Sequence, residues 1–308
     1  PNVILVDKHP NYHSTEYGKQ LANVYSAKLV SIQHHFAHFA GVLSEHSLLA
    51  ESERILGIIW DGTGFGNDGN SWGGEFLTYE NRTFTRLSHL SYVPSLLGDK
   101  MSLEPRISAL AHCWENSEAT EVLKKKFTKQ EWLLYQKILC KGQFVKTSSM
   151  GRLFDAVACL LGIMDIQTYE GEAALKLETL AQTYFDQSEI MEEMNYISQM
   201  SYIREVTTSD IIEGIVNDLK RGMDLNKIAF KFHYSLVKMV EKIAYSKGIE
   251  KLAFSGGVFQ NALLVDLMQL HLDNNFQLHF HKEVSPNDEN IALGQLAYYQ
   301  ITTNNEIS

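Results

Sequence analysis

The chain has only three cysteines in 308 residues. Cys113, Cys140 and Cys159 are too few and too scattered for a disulfide framework or a zinc ribbon, and a reducing cytoplasm is the expected setting. Long apolar runs are also missing. Nothing approaches the roughly 20 residues needed to span a bilayer, and the opening PNVILVDKHP lacks the form of a signal peptide. Basic charge is scarce: the net charge is −10, and Lys124-Lys125-Lys126 is the one basic run, read as a solvated helix face. That balance argues against a docking surface for bare nucleic acid. What remains, 44% hydrophobic and 21% charged, is ordinary globular composition, long enough for two lobes or one large α/β domain.

The most informative short stretch is Gln33 to His38, QHHFAH. His34 and His38 stand at i and i+4, so on a helix both imidazoles leave one face a turn apart, the spacing that presents two nitrogen ligands to one metal. A histidine pair alone is equally a satisfied helix end, so the site needs carboxylates from elsewhere.

In chain order, Val3-Ile4-Leu5-Val6 reads as a buried parallel strand with Asp7 at its carboxyl end. The spacing predicts a helix over His13 to Tyr25, with Ser14 or Thr15 as N-cap, then a strand over Lys28 to Ile32 and the histidine helix to Glu45. Opening in mid-sheet, without a preceding turn or cap, is an unusual start for a domain. Arg54 to Trp60 is a further buried strand. It runs into the glycine-rich Asp61-Gly62-Thr63-Gly64-Phe65-Gly66-Asn67-Asp68-Gly69, and Trp72 to Leu77 follows. Strand, glycine turn and strand predict a hairpin, neither a Walker loop nor a dinucleotide fingerprint, since both need a helix next. An aspartate ending a buried strand needs a partner or a metal.

A strand over Arg82 to Leu90 and a helical insertion at about 100–145 come next. Thr147 to Arg152 puts hydroxyls, Gly151 and an arginine at a helix start, either an N-cap or an anion site. Helices are predicted from Thr168 to Phe185, Ser209 to Arg221 and Leu225 to Lys247; His233 and Met191, Met194 and Met200 read as packing residues. Lys251 to Phe254, then Ser255-Gly256-Gly257 and a helix over Ala262 to Leu272, bring free N–H groups to a helix start, which suits a nucleotide. Asp288 opens the last helix as an N-cap or a metal carboxylate. A His pair and two carboxylates without thiolate suit Fe²⁺ or Zn²⁺, and the set has the profile of a nucleotide-using transferase.

The ordered motifs DKHPNYHST, QHHFAH, DGTGFGNDGNSWGGEF, GDKMSLEPR, TSSMGRLFDAVACLLGI, YEGEAALKLE, FSGGVFQN and PNDENIALGQ resemble the carbamoyltransferase domain of the HypF family over nearly the whole chain. That family is related to the tRNA threonylcarbamoyl transferases and O-carbamoyltransferases. The resemblance implies an α/β actin-like ATPase (ribonuclease H-like) fold. Residues 1–45 would be the rest of a first lobe with the metal helix, 46–283 a second nucleotide-binding lobe, and 284–304 a closing helix. It implies His34, His38, Asp61 and Asp288 as metal ligands. Gly62, Gly64, Gly151, Arg152, Asp155, Glu170, Gly171, Gly256, Gly257 and Asn261 would hold the nucleotide, ATP or carbamoyl-adenylate, with Mg²⁺ a possible companion. The implied reaction moves a carbamoyl group to the C-terminal cysteine thiol of a HypE-like acceptor in NiFe hydrogenase maturation, fed by a YrdC-like domain that this chain lacks. The alternatives are a small-molecule O-carbamoyltransferase and a non-catalytic nucleotide-binding subunit. Here Phe36 interrupts the family's triple histidine, and Asp288-Glu289-Asn290 stands for its Asp-Gly-Gly.

Overall fold

The structure is a computed structural model that describes residues 1–187, 194–197 and 205–303. Strand β1 (Val3–Asp7) leads through α1 (His13–Tyr25) to β2 (Lys28–Ile32), and the two strands pair in parallel as a small sheet of their own. Helix α2 (His34–Glu45) follows. The expected caps of α1 do not form. Tyr12 occupies the N-cap position without a side-chain bond, and Thr15 lies inside the first turn, where its hydroxyl donates to the Asp7 carbonyl at 3.1 Å.

The larger sheet begins with a meander of β3 (Ile55–Phe65), β4 (Ser71–Glu80) and β5 (Thr83–Leu90). The next elements are β6 (Val93–Pro94), α3 (Lys100–Leu103), α4 (Pro105–Cys113), α5 (Ser117–Lys124), α6 (Lys129–Lys141), β7 (Lys146–Thr147), α7 (Met150–Leu160) and α8 (Glu172–Gln187). After them come β8 (Glu205–Val206), α9 (Ser209–Lys220), α10 (Leu225–Lys247), β9 (Lys251–Ser255), α11 (Ala262–Leu272), β10 (Gln277–His279) and α12 (Ile291–Thr303). The sheet order is β10-β9-β3-β4-β5-β8, with β9 parallel to both β3 and β10 and the meander antiparallel. An antiparallel meander extended by two parallel strands is the ribonuclease H-like arrangement. No helix of the described residues is long and apolar enough to cross a membrane.

Strand β3 is buried on both faces, which is why it reads as a continuous apolar run. Leu56, Ile58 and Trp60 enter the larger core with Leu153 and Phe154 of α7, Phe232 and Leu236 of α10, and Leu263 and Leu267 of α11. Ile55 and Ile59 face a second core with Phe39, Val42 and Leu43 of α2 and Ala297 of α12. The insertion joins the larger core through Ile107 and Leu110 of α4. Helices α2 and α12 cross closely because residue 294 is glycine: a Cβ there would collide with the Ala37 carbonyl.

One expectation changes at the glycine-rich stretch. The segment Asp61 to Gly64 is not the turn but part of β3, with a register shift against β4 between Trp60 and Gly64. The reversal comes later, where Gly66 N–H donates to the Asn70 carbonyl at 2.8 Å. Glycines at 62 and 64 tolerate this bulge, and bulges re-aim side chains near functional sites. Met194 packs against the larger core, as expected; Met191 and Met200 lie outside the described residues.

A candidate metal centre at the mouth of a cleft

Gln33 sets the start of the histidine helix. Its Oε1 accepts from Phe36 N–H at 2.9 Å, an N-cap, and its Nε2 donates to the Phe65 carbonyl of β3 at 3.2 Å. The helix therefore begins beside the bulge, and His34 and His38 face Asp61. The closing segment reaches the same place because Gly256 N–H, just past β9, donates to the Pro286 carbonyl at 2.8 Å. Gly256 has φ +105°, and a side chain there would strike the Trp60 backbone, so glycine is required. Asn290 Nδ2 donates to the Asn287 carbonyl at 2.8 Å and the Ser285 carbonyl at 3.1 Å, which shapes the turn that carries Asp288. Asp288 is not the cap of that turn. The neighbouring Asn287 is, accepting from Glu289 N–H at 3.0 Å, and this leaves the Asp288 carboxylate free to face the histidines.

One ligand atom from each of His34, His38, Asp61 and Asp288 lies within 4.8 Å of the other three. His34 Nε2 is 3.2 Å from Asp61 Oδ2 and 3.4 Å from Asp288 Oδ1; His38 Nε2 is 3.7 Å and 3.5 Å from the same two atoms. Ligands about 2.1 Å from a tetrahedral ion stand about 3.4 Å apart. These spacings fit. His38 Nε2 is also buried without a hydrogen-bond partner, and a buried nitrogen lone pair left unmatched is costly unless a cation receives it. The donor set, two imidazoles and two carboxylates with no sulfur, suits Fe²⁺ or Zn²⁺.

Electrostatics agree with a cation at this point. Burial opposes charge on His34, yet hydrogen bonds to Asp288, Asp61 and Asp7 outweigh it and raise its pKa well above the ordinary histidine value. Burial likewise opposes ionisation of Asp61, but the hydrogen bond to His34 and the nearby His38 imidazole prevail and hold its carboxyl well below the usual range. Asp288, facing the same two imidazoles, is also lowered, although its side chain is largely exposed. The outer nitrogen of His34 is held by Asp7 Oδ2 at 2.8 Å. His35 faces away. Burial lowers its pKa strongly, its Nδ1 lies 3.1 Å from Gln33 Nε2, and it packs beneath Gly64.

Next to the four ligands a cleft of about 1070 Å³ opens, bordered by Asp61 and Asp288. Gly62, Gly151, Arg152, Asp155, Glu170, Gly171, Gly257 and Asn261 line it; Gly64 and Gly256 do not. Arg152 Nε is 3.2 Å from Asp155 Oδ2 and its NH2 group 3.5 Å from Glu170 Oε1. Burial pushes the Asp155 carboxyl up to about 6, against the pull of Arg152. The hydroxyls before α7 are used internally: Ser149 caps the helix through Arg152 N–H at 3.1 Å, and Ser148 donates to the buried Glu75 at 2.6 Å. Gly257 N–H donates to Asp61 Oδ1 at 3.2 Å. The side chain of Asn261 caps α11 through Leu264 N–H at 2.8 Å and meets His233 at 3.1 Å, which makes His233 a satisfied core residue. Burial raises the Cys113 thiol to about 12, and no cysteine lines the cleft among the described residues.

Sequence reasoning did not place Asp7, Ser255, His281 or Glu45 in the site. Asp7 had a signal, an acidic residue ending a buried strand; the other three had none, since a 3.6- or 2-residue period carries no information about contacts between distant segments.

Residues 57–295 match the family described as carbamoyltransferase, Kae1-like domain, second subdomain, and residues 1–45 match the HypF Kae1-like domain. The chain is 35% identical to the carbamoyltransferase HypF of Synechocystis sp., over 96% of its own length and 40% of the relative's. It is 30% identical to a carbamoyltransferase HypF homolog of Cupriavidus necator, over 95% of its length and 76% of that protein. Among solved structures, full-length HypF in its phosphate- and nucleotide-bound form superposes with a TM-score of 0.83 at 31% identity, over 97% of this chain and 46% of that one. HypF from T. kodakarensis gives 0.85 at 27% identity, over 99% and 41%. The chain thus spans about two fifths of several of the proteins it resembles.

Proposed function

The chain belongs to the HypF carbamoyltransferase family, and from that premise we propose that it transfers a carbamoyl group from carbamoyl-adenylate to a C-terminal cysteine thiol of an acceptor protein. The observation that carries this reading is the convergence of His34, His38, Asp61 and Asp288 at the mouth of a nucleotide-sized cleft. His34, His38, Asp61 and Asp288 would hold Fe²⁺ or Zn²⁺, and such an ion supplies Lewis-acid stabilisation of negative charge on a phosphate. Arg152, Asp155, Glu170 and the glycine backbone at 62 and 257 would bind and orient the nucleotide. A thiolate attacks the carbamoyl carbon, a C–S bond forms, the C–O bond to the adenylate phosphate breaks, and AMP leaves with the electron pair. Cys113 and Cys159 are buried, and the exposed Cys140 does not line the cleft, so the thiol comes from the acceptor.

The same reading takes a HypE-like protein as acceptor, a YrdC-like domain as the source of carbamoyl-adenylate, NiFe hydrogenase maturation as the process and the cytoplasm as its place. It also takes residues 1–45 and 284–304 as one lobe and 46–283 as the other. The test is to mix the purified chain, loaded with Zn²⁺, with a YrdC-like domain, ATP, carbamoyl phosphate and a peptide ending in cysteine. Gain of one carbamoyl group by the peptide, read by mass spectrometry, is the expected result. Transfer to a hydroxylated small molecule instead of the peptide, or to neither, overturns the acceptor assignment.

A further inference from the structure

The outer nitrogen of His38 ends a chain of side chains drawn from three separate segments. Its Nδ1 lies 3.3 Å from Ser255 Oγ at the end of β9, and that oxygen lies 2.8 Å from His281 Nε2. His281 Nδ1 is 2.7 Å from Oε2 of Glu45, the last residue of α2. The other Glu45 oxygen accepts from Lys282 N–H at 2.6 Å and from Glu283 N–H. Ser255 is fully buried, and the side chains of His281 and Glu45 are 2% and 7% exposed. Glutamate, histidine and serine in this order suggest a hydrolytic triad, but a fully buried hydroxyl is out of reach of any substrate.

The chain has one consistent direction. An ionised Glu45 only accepts, so His281 carries its proton on Nδ1. A neutral imidazole then offers a lone pair at Nε2, and the single Ser255 proton goes there. The Ser255 oxygen is left to accept from His38 Nδ1–H, which leaves the Nε2 lone pair of His38 facing Asp61 and Asp288. Asn290 Nδ2 lies 3.2 Å from His38 Nδ1 but does not compete, because its two protons go to the carbonyls of Asn287 and Ser285. Burial lowers the pKa of His281 against the pull of Glu45, and the backbone donors at Glu283 and Lys282 lower that of Glu45 against its own burial. Both directions match a neutral imidazole on an ionised carboxylate.

We propose that Glu45, His281 and Ser255 form a positioning relay that fixes His38 as the Nδ1–H tautomer and so presents its Nε2 to a divalent metal. The inference rests on the metal-site reading above and adds three residues that never touch the ion. Its test is titration of the metal-free chain with Co²⁺, followed by visible absorption and chelator competition, in wild type, Ser255→Ala, His281→Leu and His281→Gln. Loss of an outer partner of a ligand histidine typically weakens metal binding by about 10–100-fold, the loss expected for Ser255→Ala and His281→Leu. His281→Gln keeps an acceptor for the Ser255 hydroxyl and should bind within about threefold of wild type. Ser255→Ala removes one oxygen and decides the matter if His281→Leu fails to fold. Wild-type affinity in Ser255→Ala overturns the relay, as does a Gln variant as weak as the Leu variant, which would show packing alone at work. Absence of Co²⁺ binding by wild type overturns the metal-site reading and the relay together, an outcome distinct from strong binding by every variant.

Discussion

Asp7 Oδ2 lies 2.8 Å from Nδ1 of His34, so the small sheet made by β1 and β2 reaches the candidate metal centre through one carboxylate. Both groups are buried, at 5% and 2% exposure, where a charge-assisted hydrogen bond is stronger than in water. Asp7→Asn keeps the shape and removes the charge. Zn²⁺ affinity measured against a chromophoric chelator should fall by about 10–100-fold, and the metal-free chain should lose about 1.5–3 kcal/mol of stability with the same bond. Unchanged affinity would mean that β1 packs beside the site without tuning it.

Gly294 is the point where α12 leans on α2, and a side chain there meets the Ala37 carbonyl rather than a movable group. Gly294→Val forces the helices apart and opens the second core around Phe39 and Ala297. Urea denaturation should show a loss of about 2–4 kcal/mol. Metal affinity should fall with it, because the turn that carries Asp288 leads directly into α12. A stable variant with intact affinity would show that the helix pair has slack.

Arg152 is the cationic side chain that bridges Asp155 and Glu170 on the cleft wall. In the proposed function it orients a nucleotide, and hydrogen bonds to charged groups contribute about 1.5–3 kcal/mol. Arg152→Ala should therefore weaken AMP binding, read by calorimetry, by about tenfold or more. Retained affinity would reduce Arg152 to a strut between two carboxylates.

Much of the candidate site was readable from spacing, because its parts are local. His34 and His38 sit a helical turn apart, Asp61 ends an apolar run, and Asp288 follows a proline and an asparagine, each visible within a few residues. The meander and the β9-turn-α11 unit were readable for the same reason: hydrophobic period and glycine placement are properties of short windows. Contacts made by the fold itself were not. Glu45, Ser255 and His281 meet only because β9 lies beside β3 and β10 beside β9, pairings that leave no mark in any window around those residues. The α1 cap departs from its local pattern for a related reason: Thr15 bonds to the end of β1 instead of to its own helix. The bulge after Trp60 and a turn look alike in sequence because glycines mark both.

Asp155 supplies a prediction with a sign. Burial raises its carboxyl to about 6, whereas an unfolded chain ionises it near the ordinary aspartate value of 3.8. Between those values the folded state holds a proton that the unfolded state has released, so stability falls as pH rises through the window and stays lower above it. The difference of about two pKa units corresponds to a cost on the order of 1–3 kcal/mol at neutral pH. Asp155→Asn has no such proton to lose. Its stability relative to wild type should be close at about pH 4 and should pull ahead by about 1–3 kcal/mol near pH 7.5, measured by urea denaturation at each pH. A variant less stable than wild type at the higher pH would mean that the attraction of Arg152 for the ionised Asp155 outweighs the cost of burying it.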